Sequence, residues 1–438
     1  MQPSPDPAAL IPIYEGRALV HLLLAEHDQA VADYKQMVEA AHAAGNLQKE
    51  GEGLCQLAYI YWLTFSAANT PHVAEYAGRA LQLAQQTGDQ RILAQSLIQL
   101  GSVDQVQGHV TEADEKFAQA LAISRREDHK GALGHALVFS CMQAYLQGKY
   151  PSAIVFGQEG VRVFGELNDA FTELRALAFL CQSHWGAGEY TQALTLLQTG
   201  LRMGRERQNT FIVGRLLNTQ GWFHRELGDA KGAAEFNQES IELGRAAAIS
   251  HIEISALVNL GLDYIALEQY EAALACLRPT LERVQQEGFG AHKWRWTMKL
   301  LIGLAEVHYC TGEYEQALNL VDAGIKQARA TLSQKYVAQG LALRGKILIA
   351  CQQVAAGGSD LQAAVALAES LHSPALLYPL AYALGAWCSG VGEEGQAAIY
   401  YQKAKAAVDQ MTVAVADEAL CARLLQSAPV RAIWEALR

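Results

Sequence analysis

Proline is scarce, at ten in 438 residues, and no long apolar run is uninterrupted. Few prolines leave helices free to run. The longest stretch without charge, Ser373 to Gly392, contains Pro374, Pro379 and several glycines, so it predicts a buried helix and no membrane span. Basic residues are the minority, 34 Lys and Arg against 45 Asp and Glu, for a net charge of −11. Nucleic-acid binders usually present a basic face, so no direct nucleic-acid partner is expected, and no membrane partner either. None of the eight cysteines (Cys55, Cys141, Cys181, Cys276, Cys310, Cys351, Cys388 and Cys421) forms a CxxC pair, which excludes the common zinc and redox motifs. Each lies in an apolar helical stretch and reads as a small buried residue in a reducing compartment, hence a cytoplasmic protein. The opening MQPSPDPAAL has no basic region followed by an apolar run, so no secretory leader is expected. Also missing are GxxxxGK[ST], HExxH and GxSxG, and the thirteen histidines form no ligand pairs at i, i+4. The expectation is a protein that is not an enzyme, with no catalytic residue, no metal and no cofactor.

What the sequence does have is a period. LGLDYIALEQYEAAL from Leu260, LAEVHYCTGEYEQAL from Leu304 and LCQSHWGAGEYTQAL from Leu180 share one pattern: a large apolar residue, a small one, a turn before Tyr, then Ala-Leu. The small residue recurs as Ala18, Ala58, Gly101, Cys141, Cys181, Gly221, Gly261, Ala305, Gly345 and Gly385. Successive spacings are 40, 43, 40, 40, 40, 40, 44, 40 and 40. A second small residue follows twelve positions on: Ala113, Ala153, Ala193, Ala233, Ala273, Ala317 and Ala397. A third lies seven further, as at Ala120, Gly160, Gly200, Ser240, Gly324 and Ala404, two helical turns along the same face. Small side chains let two helices approach closely. Glycines such as Gly108, Gly148, Gly188, Gly228 and Gly312 end the first helix of each pair. Asp89, Asp128, Asp169, Asn209 and Ser250 are candidate caps for the next. The longer spacings predict insertions, one around Thr64 to Val73 and one near Gly288 to Gly290.

These residues resemble tetratricopeptide repeats in a long, 40-residue form, over about residues 10 to 410. The form is similar to repeats of kinesin light chains and LGN/Pins-type scaffolds, and to sensor regions of bacterial signalling NTPases and MalT-type regulators. The resemblance implies an all-α, right-handed α-solenoid of about ten helix-turn-helix repeats. The expected organisation is an N-terminal tail over 1–9, the repeat array over 10–410, and a capping helix (about Ala414 to Gln426) with a tail over 411–438. The resemblance further implies the sensor or adaptor part of a bacterial signalling system, with a peptide-pheromone or small-ligand receptor, or a static assembly scaffold, as alternatives.

In such an array the first helix of each pair lines the concave surface. Counting from the small marker selects Tyr59, Trp62, Arg91, Gln95, His135, Tyr145, Phe171, Arg175, Gln182, Trp185, Phe211, Arg215, Asn218, Trp222, Arg225, Arg295 and Lys299, together with His251, Glu306, Tyr309 and Lys335. This set is aromatic and basic in an acidic chain. Arginine pairs with carboxylates in a bidentate way and aromatics give contact area at low entropy cost, so a protein or peptide ligand of acidic character is expected in the concave groove. His184, His224 and His308 lie three residues after their markers and read as core histidines with hydrogen-bonded rings. In the segment His292 to Lys299 the tryptophans are expected to close over the inserted turn. Trp387 and Trp434 are the candidate contacts for a homodimer through the terminal repeats.

Overall fold

The structure is a computed structural model that describes residues 6–24, 26–63, 69–286 and 293–438. The insertion expected near Gly288 to Gly290 lies outside these residues, as do residues 64–68 of the one expected from Thr64 to Val73, whose remainder leads into the helix that begins at Thr70. The described residues form twenty-two helices and no strand. Twenty of them pair into ten hairpins. The first five are α1 (Pro7–Leu23) with α2 (His27–Ala43), α3 (Leu47–Leu63) with α4 (Thr70–Thr87), α5 (Gln90–Gln107) with α6 (Val110–Arg126), α7 (Lys130–Leu146) with α8 (Tyr150–Glu166), and α9 (Ala170–Gly186) with α10 (Tyr190–Glu206). The second five are α11 (Thr210–Glu226) with α12 (Ala230–Ala246), α13 (Ser250–Ala266) with α14 (Tyr270–Gln286), α15 (Lys293–Cys310) with α16 (Tyr314–Ala330), α17 (Gln334–Ala350) with α18 (Val354–Ser370), and α19 (Pro374–Gly390) with α20 (Glu394–Ala414). Two short helices follow, α21 (Glu418–Gln426) and α22 (Ala428–Ala436).

The small-residue code explains the hairpins. Every marker is buried, and so is each alanine twelve residues on. A side chain at Gly101 would collide with the Phe117 ring, 2.6 Å from the Cβ position. Turns inside the hairpins use the left-handed region, where glycine is at no disadvantage: φ runs from 77 to 83° at Gly108, Gly148, Gly188, Gly228, Gly312 and Gly392. Turns between hairpins accept other residues there, such as Asn168 (φ 56°) and Gln208 (φ 53°). Asp89, Asp169 and Asn209 cap as expected, accepting from backbone N–H groups of the first turn. Asp128 instead occupies the left-handed position (φ 49°), and His129 Nδ1 accepts from Ala132 N at 3.0 Å. Ser250 lies inside α13 and does not cap it. The three core histidines do hydrogen-bond, each to the acidic residue five positions on: His184 Nδ1 with Glu189 at 2.5 Å, His224 with Asp229 at 2.8 Å, and His308 with Glu313 at 2.9 Å. The imidazole thus ties the last turn of one helix to the start of the next.

The chain divides into two compact units, one from the described residues of 1–140 and 288–293, the other from those of 141–287 and 294–438. In the first unit a core runs from Ile11 to Val103, around Leu54, Leu57 and Ile60. The second behaves differently from an open solenoid, in which each repeat touches only its neighbours. Its C-terminal helices return to its early hairpins. Val408, Met411, Leu420, Leu424, Val430 and Ile433 share one core with Leu197, Leu201, Leu216 and Leu227. The contact runs along the turn edge, where Gly188 faces Pro374 and Gly228 faces Ser427. Tyr190 Oη accepts from Ala375 N at 3.2 Å. Thr191 Oγ1 donates to Ala414 O at 2.8 Å and accepts from Ala416 N at 2.9 Å, and Arg423 pairs with Asp229.

This packing reshapes the C-terminus. Helix α20 continues to Ala414, and two short helices, in place of one, cover the edge of α10 and α12. Trp434 packs into that shared core with Lys405 Nζ 5.3 Å from its ring centroid, and Trp387 Nε1 donates to Val354 O at 3.0 Å. Both tryptophans are therefore used within the chain. The uncharged stretch from Ser373 is α19, and no helix among the described residues is long and apolar enough to cross a membrane.

Candidate functional site

The inward positions of the second unit come from the first helices of successive hairpins, because the close approach at the marker fixes which face of each helix turns inward. They bring together Tyr145, Arg175, Trp185, Arg215, Asn218, Trp222, Arg225, Arg295 and Lys299. Tyr59, Trp62, Arg91, Gln95 and His135 lie in the first unit. There Tyr59 stacks on Trp62 (6.1 Å between centroids) and meets His135 (5.4 Å), and Tyr59, Gln95 and His135 line a cavity of about 170 Å³. Arg91 is exposed and lines a separate hollow with Glu15 and Glu52.

Not every inward residue is open to a ligand. Trp185 is 1% exposed, stacked on Phe223 at 3.8 Å and edge-on to Tyr190 at 4.8 Å. Gln182 is buried and donates to Thr219 Oγ1 at 3.0 Å. Asn218 belongs to a polar chain: its Nδ2 donates to Asn237 Oδ1 at 2.9 Å, and Asn237 donates to Asp263 at 2.6 Å. Arg225 closes that chain with a 2.5 Å bond to Asp263 and a 3.2 Å bond to the Asn259 carbonyl. Trp294 and Trp296 are buried, with Trp296 5.1 Å from the His251 ring.

The cations form a continuous stripe. Arg215 lies 4.2 Å from the Phe179 ring centroid, and Arg175 lies 5.9 Å from that of Phe171, which in turn meets Phe211 at 6.2 Å. Arg215 has no ion-pair partner among the described residues. Burial first, then Arg295 and Arg175, hold its pKa down to about 9. Burial, with Arg225, Arg295 and Lys335, holds Lys299 well below the ordinary lysine range. Among the described residues its one hydrogen bond goes to Asn259 Oδ1 at 3.2 Å. Burial, with Arg215 and Arg295, keeps His251 near 3, so it is neutral at pH 7.

Besides Asp263, which bonds Arg225, Glu226 answers this stripe. Glu226 accepts from Trp185 Nε1 at 2.6 Å, Trp222 Nε1 at 2.7 Å and Lys335 Nζ at 2.7 Å. Burial pushes its carboxyl up, but Lys335 and the two indole donors outweigh that and hold it below its usual value. Lys335 also sits 4.5 Å from the Trp222 ring centroid. Beside this group lies a cavity of about 370 Å³, lined by Trp222, Arg225, Glu226, Lys299, Glu306, Lys335, Tyr336, Gln339 and Lys346 on its polar side and by Leu262, Ile265, Ile302, Leu343 and Leu380 on its apolar side. Glu226, Asp263 and Tyr336 were not singled out by the inward positions. Gln339 and Lys346 do stand at two of them, six before and one after Gly345, so the periodicity points to both. Among the described residues no group of three His, Cys, Asp or Glu side chains is placed to hold a metal.

The fold is an α-solenoid of helix-turn-helix repeats similar to tetratricopeptide repeats. A sequence model of the tetratricopeptide repeat matches residues 253–330. No curated protein sequence matches the chain. Among solved structures, a Rap protein complexed with competence and sporulation factor aligns with 83% of this chain and all of its own at a TM-score of 0.60 and 12% identity. The apo quorum sensor NprR from B. thuringiensis aligns over 82% of this chain and 98% of its own, at 0.57 and 12% identity. The Rap conjugation gene regulator of plasmid pLS20, in complex with the Phr* peptide, covers 83% and 98%, at 0.55 and 12% identity. At such identities the likeness is one of fold.

Proposed function

We propose that the chain is a sensor or adaptor module that binds an acidic peptide against the inward face of its second unit. Arg215 carries this reading. Its guanidinium is held against Phe179, flanked by Arg175 and Arg295, with no ion-pair partner among the described residues. A buried guanidinium beside two like charges is costly inside a protein, and a ligand carboxylate would offset the cost at Arg215 through bidentate hydrogen bonds. The similar structures add support, since two are complexes with a named factor or peptide and the third is a quorum sensor. Pro379 and Leu380 of α19, the helix whose first turn bonds the Tyr190 hydroxyl, line the same cavity as Trp222 and Arg225, and a cavity of that size favours a receptor for a small ligand over a static scaffold.

The test is binding of acidic hexapeptides by the wild-type chain and by Arg215→Glu, with helical content followed by circular dichroism. Loss of binding at unchanged helicity is the expected result. Equal binding by both proteins would remove the inward face as the site.

A further inference from the structure

The charges lining the 370 Å³ cavity are not equally committed. Arg225 is bonded to Asp263, and Lys335 to Glu226. Three charged groups remain, of which Lys346 is exposed to solvent; the other two are Lys299 and Glu306. Among the described residues Lys299 bonds only the neutral Asn259 amide oxygen. Glu306 is half-buried and has no hydrogen bond or ion pair among the described residues; Lys346 and Arg225 act on it only through space. Both line the cavity, and both lie on α15 seven residues apart, hence on one face. Seven residues correspond to about 10 Å of helix axis.

We infer, on the basis of the inward-face reading above, that the ligand is a short peptide whose free N-terminal ammonium is received by Glu306 and whose acidic side chain, at the second or third residue, is received by Lys299. An uncommitted carboxylate and an uncommitted ammonium facing one cavity are complementary to a ligand that carries the opposite charges at a matching interval. An extended peptide advances about 3.3–3.6 Å per residue, so a span near 10 Å reaches from the terminal amine to the second or third residue, with side chains covering the difference. The apolar wall of Ile302, Leu343 and Leu380 lies beside both groups and accepts the side chain between the two charges. A segment in the middle of a folded protein has no terminal amine to offer, so this polarity selects a released fragment or a small signalling peptide.

The probes are hexapeptide pools with amidated C-termini and no Lys or Arg, carrying Asp or Glu at position 2 or 3. One pool has free N-termini and its twin is acetylated, and affinities are read by calorimetry. The wild-type chain should bind the free pool at least about tenfold more tightly, the scale of one charge-assisted hydrogen bond. Glu306→Gln should bind both pools alike. A third pool, with its acidic residue moved to position 5 or 6, needs no variant and should bind the wild type about as weakly as the acetylated one. If wild type binds free and acetylated pools equally, or if Glu306→Gln keeps the preference, the inference is overturned. The inward-face reading then survives provided Arg215→Glu abolishes binding of both pools. If neither pool binds, both proposals fall.

Discussion

Lys335 and Glu226 are 109 residues apart in the chain and 2.7 Å apart in space. Their bond joins α17 to α11 across the inward face and places a charge pair on the wall of the cavity that the ligand is proposed to enter. Lys335→Met should leave Glu226 with two indole donors and no counter-charge, costing about 2–3 kcal/mol in urea unfolding, with altered emission from Trp185 and Trp222. Adding Glu226→Gln should recover most of the loss, because the stranded charge is gone. Strictly additive losses in the double variant would show that the two residues are not coupled.

Arg215 should trade stability for binding. Arg215→Met keeps an apolar stem against Phe179 and removes the repulsion from Arg175 and Arg295. Relief of about 1 kcal/mol would raise the Tm by about 2–4 °C, while acidic peptides should no longer bind. A lowered Tm by differential scanning calorimetry would contradict the account of the arginine cluster as a strained, ligand-ready site.

His251 should set part of the acid response. Its folded pKa, near 3, lies below the ordinary value of 6.5. At pH 7 the ring is neutral in the folded chain and mostly neutral in the unfolded one, so it contributes little dependence. Below pH 6.5 the unfolded chain takes up a proton that the folded one refuses, so stability is lost as pH falls from 6.5 towards 3. Arg215 and Arg295 face the ring from α11 and α15 and oppose its charging, while Phe211 and Trp296 pack around it. His251→Phe should flatten the fall by up to about 1.4 kcal/mol per pH unit, measured by urea unfolding from pH 7 to pH 4. Parallel curves for the two proteins would contradict a neutral His251.

The returning C-terminal helices should detach without destroying the hairpins. Ile433 and Val430 are fully buried in the shared core. Ile433→Asp should free α22 and expose apolar surface of α10, giving rapid proteolysis after Ala414, dye binding and little loss of helical signal. Resistance to protease equal to that of the wild type would mean that α22 contributes nothing to closure.

Much of this was legible in the sequence, for a definable reason. A 40-residue spacing of Ala, Gly and Cys reports where helices touch within and between adjacent hairpins, and such contacts repeat. The caps at Asp89, Asp169 and Asn209 were equally plain, as was the bonding of His184, His224 and His308. The shared core of Leu197 and Val430 was not, because it occurs once and joins residues of unrelated phase. Its only trace is that Gly188 and Gly228, which the turns require for their backbone angles, are also where Pro374 and Ser427 come to rest. At the candidate site, helical spacing found the arginines and Lys299 but not their commitments. Glu226 follows Arg225 directly and differs in character only through Trp185, Trp222 and Lys335, which three-dimensional packing supplies.

The return of α20 to α22 onto the fifth and sixth hairpins also bears on how such a chain can change in length. An open array tolerates duplication or loss of a 40-residue unit almost anywhere, since every junction is alike. Here the stretch from Tyr190 to Ala375 must span a fixed gap to bring the Tyr190 hydroxyl to the Ala375 amide. One hairpin more or fewer would carry Arg423 past Asp229 and Lys335 past Glu226. Copy number in the second unit is therefore a geometrical constant, and lineages that alter it should do so ahead of Cys141.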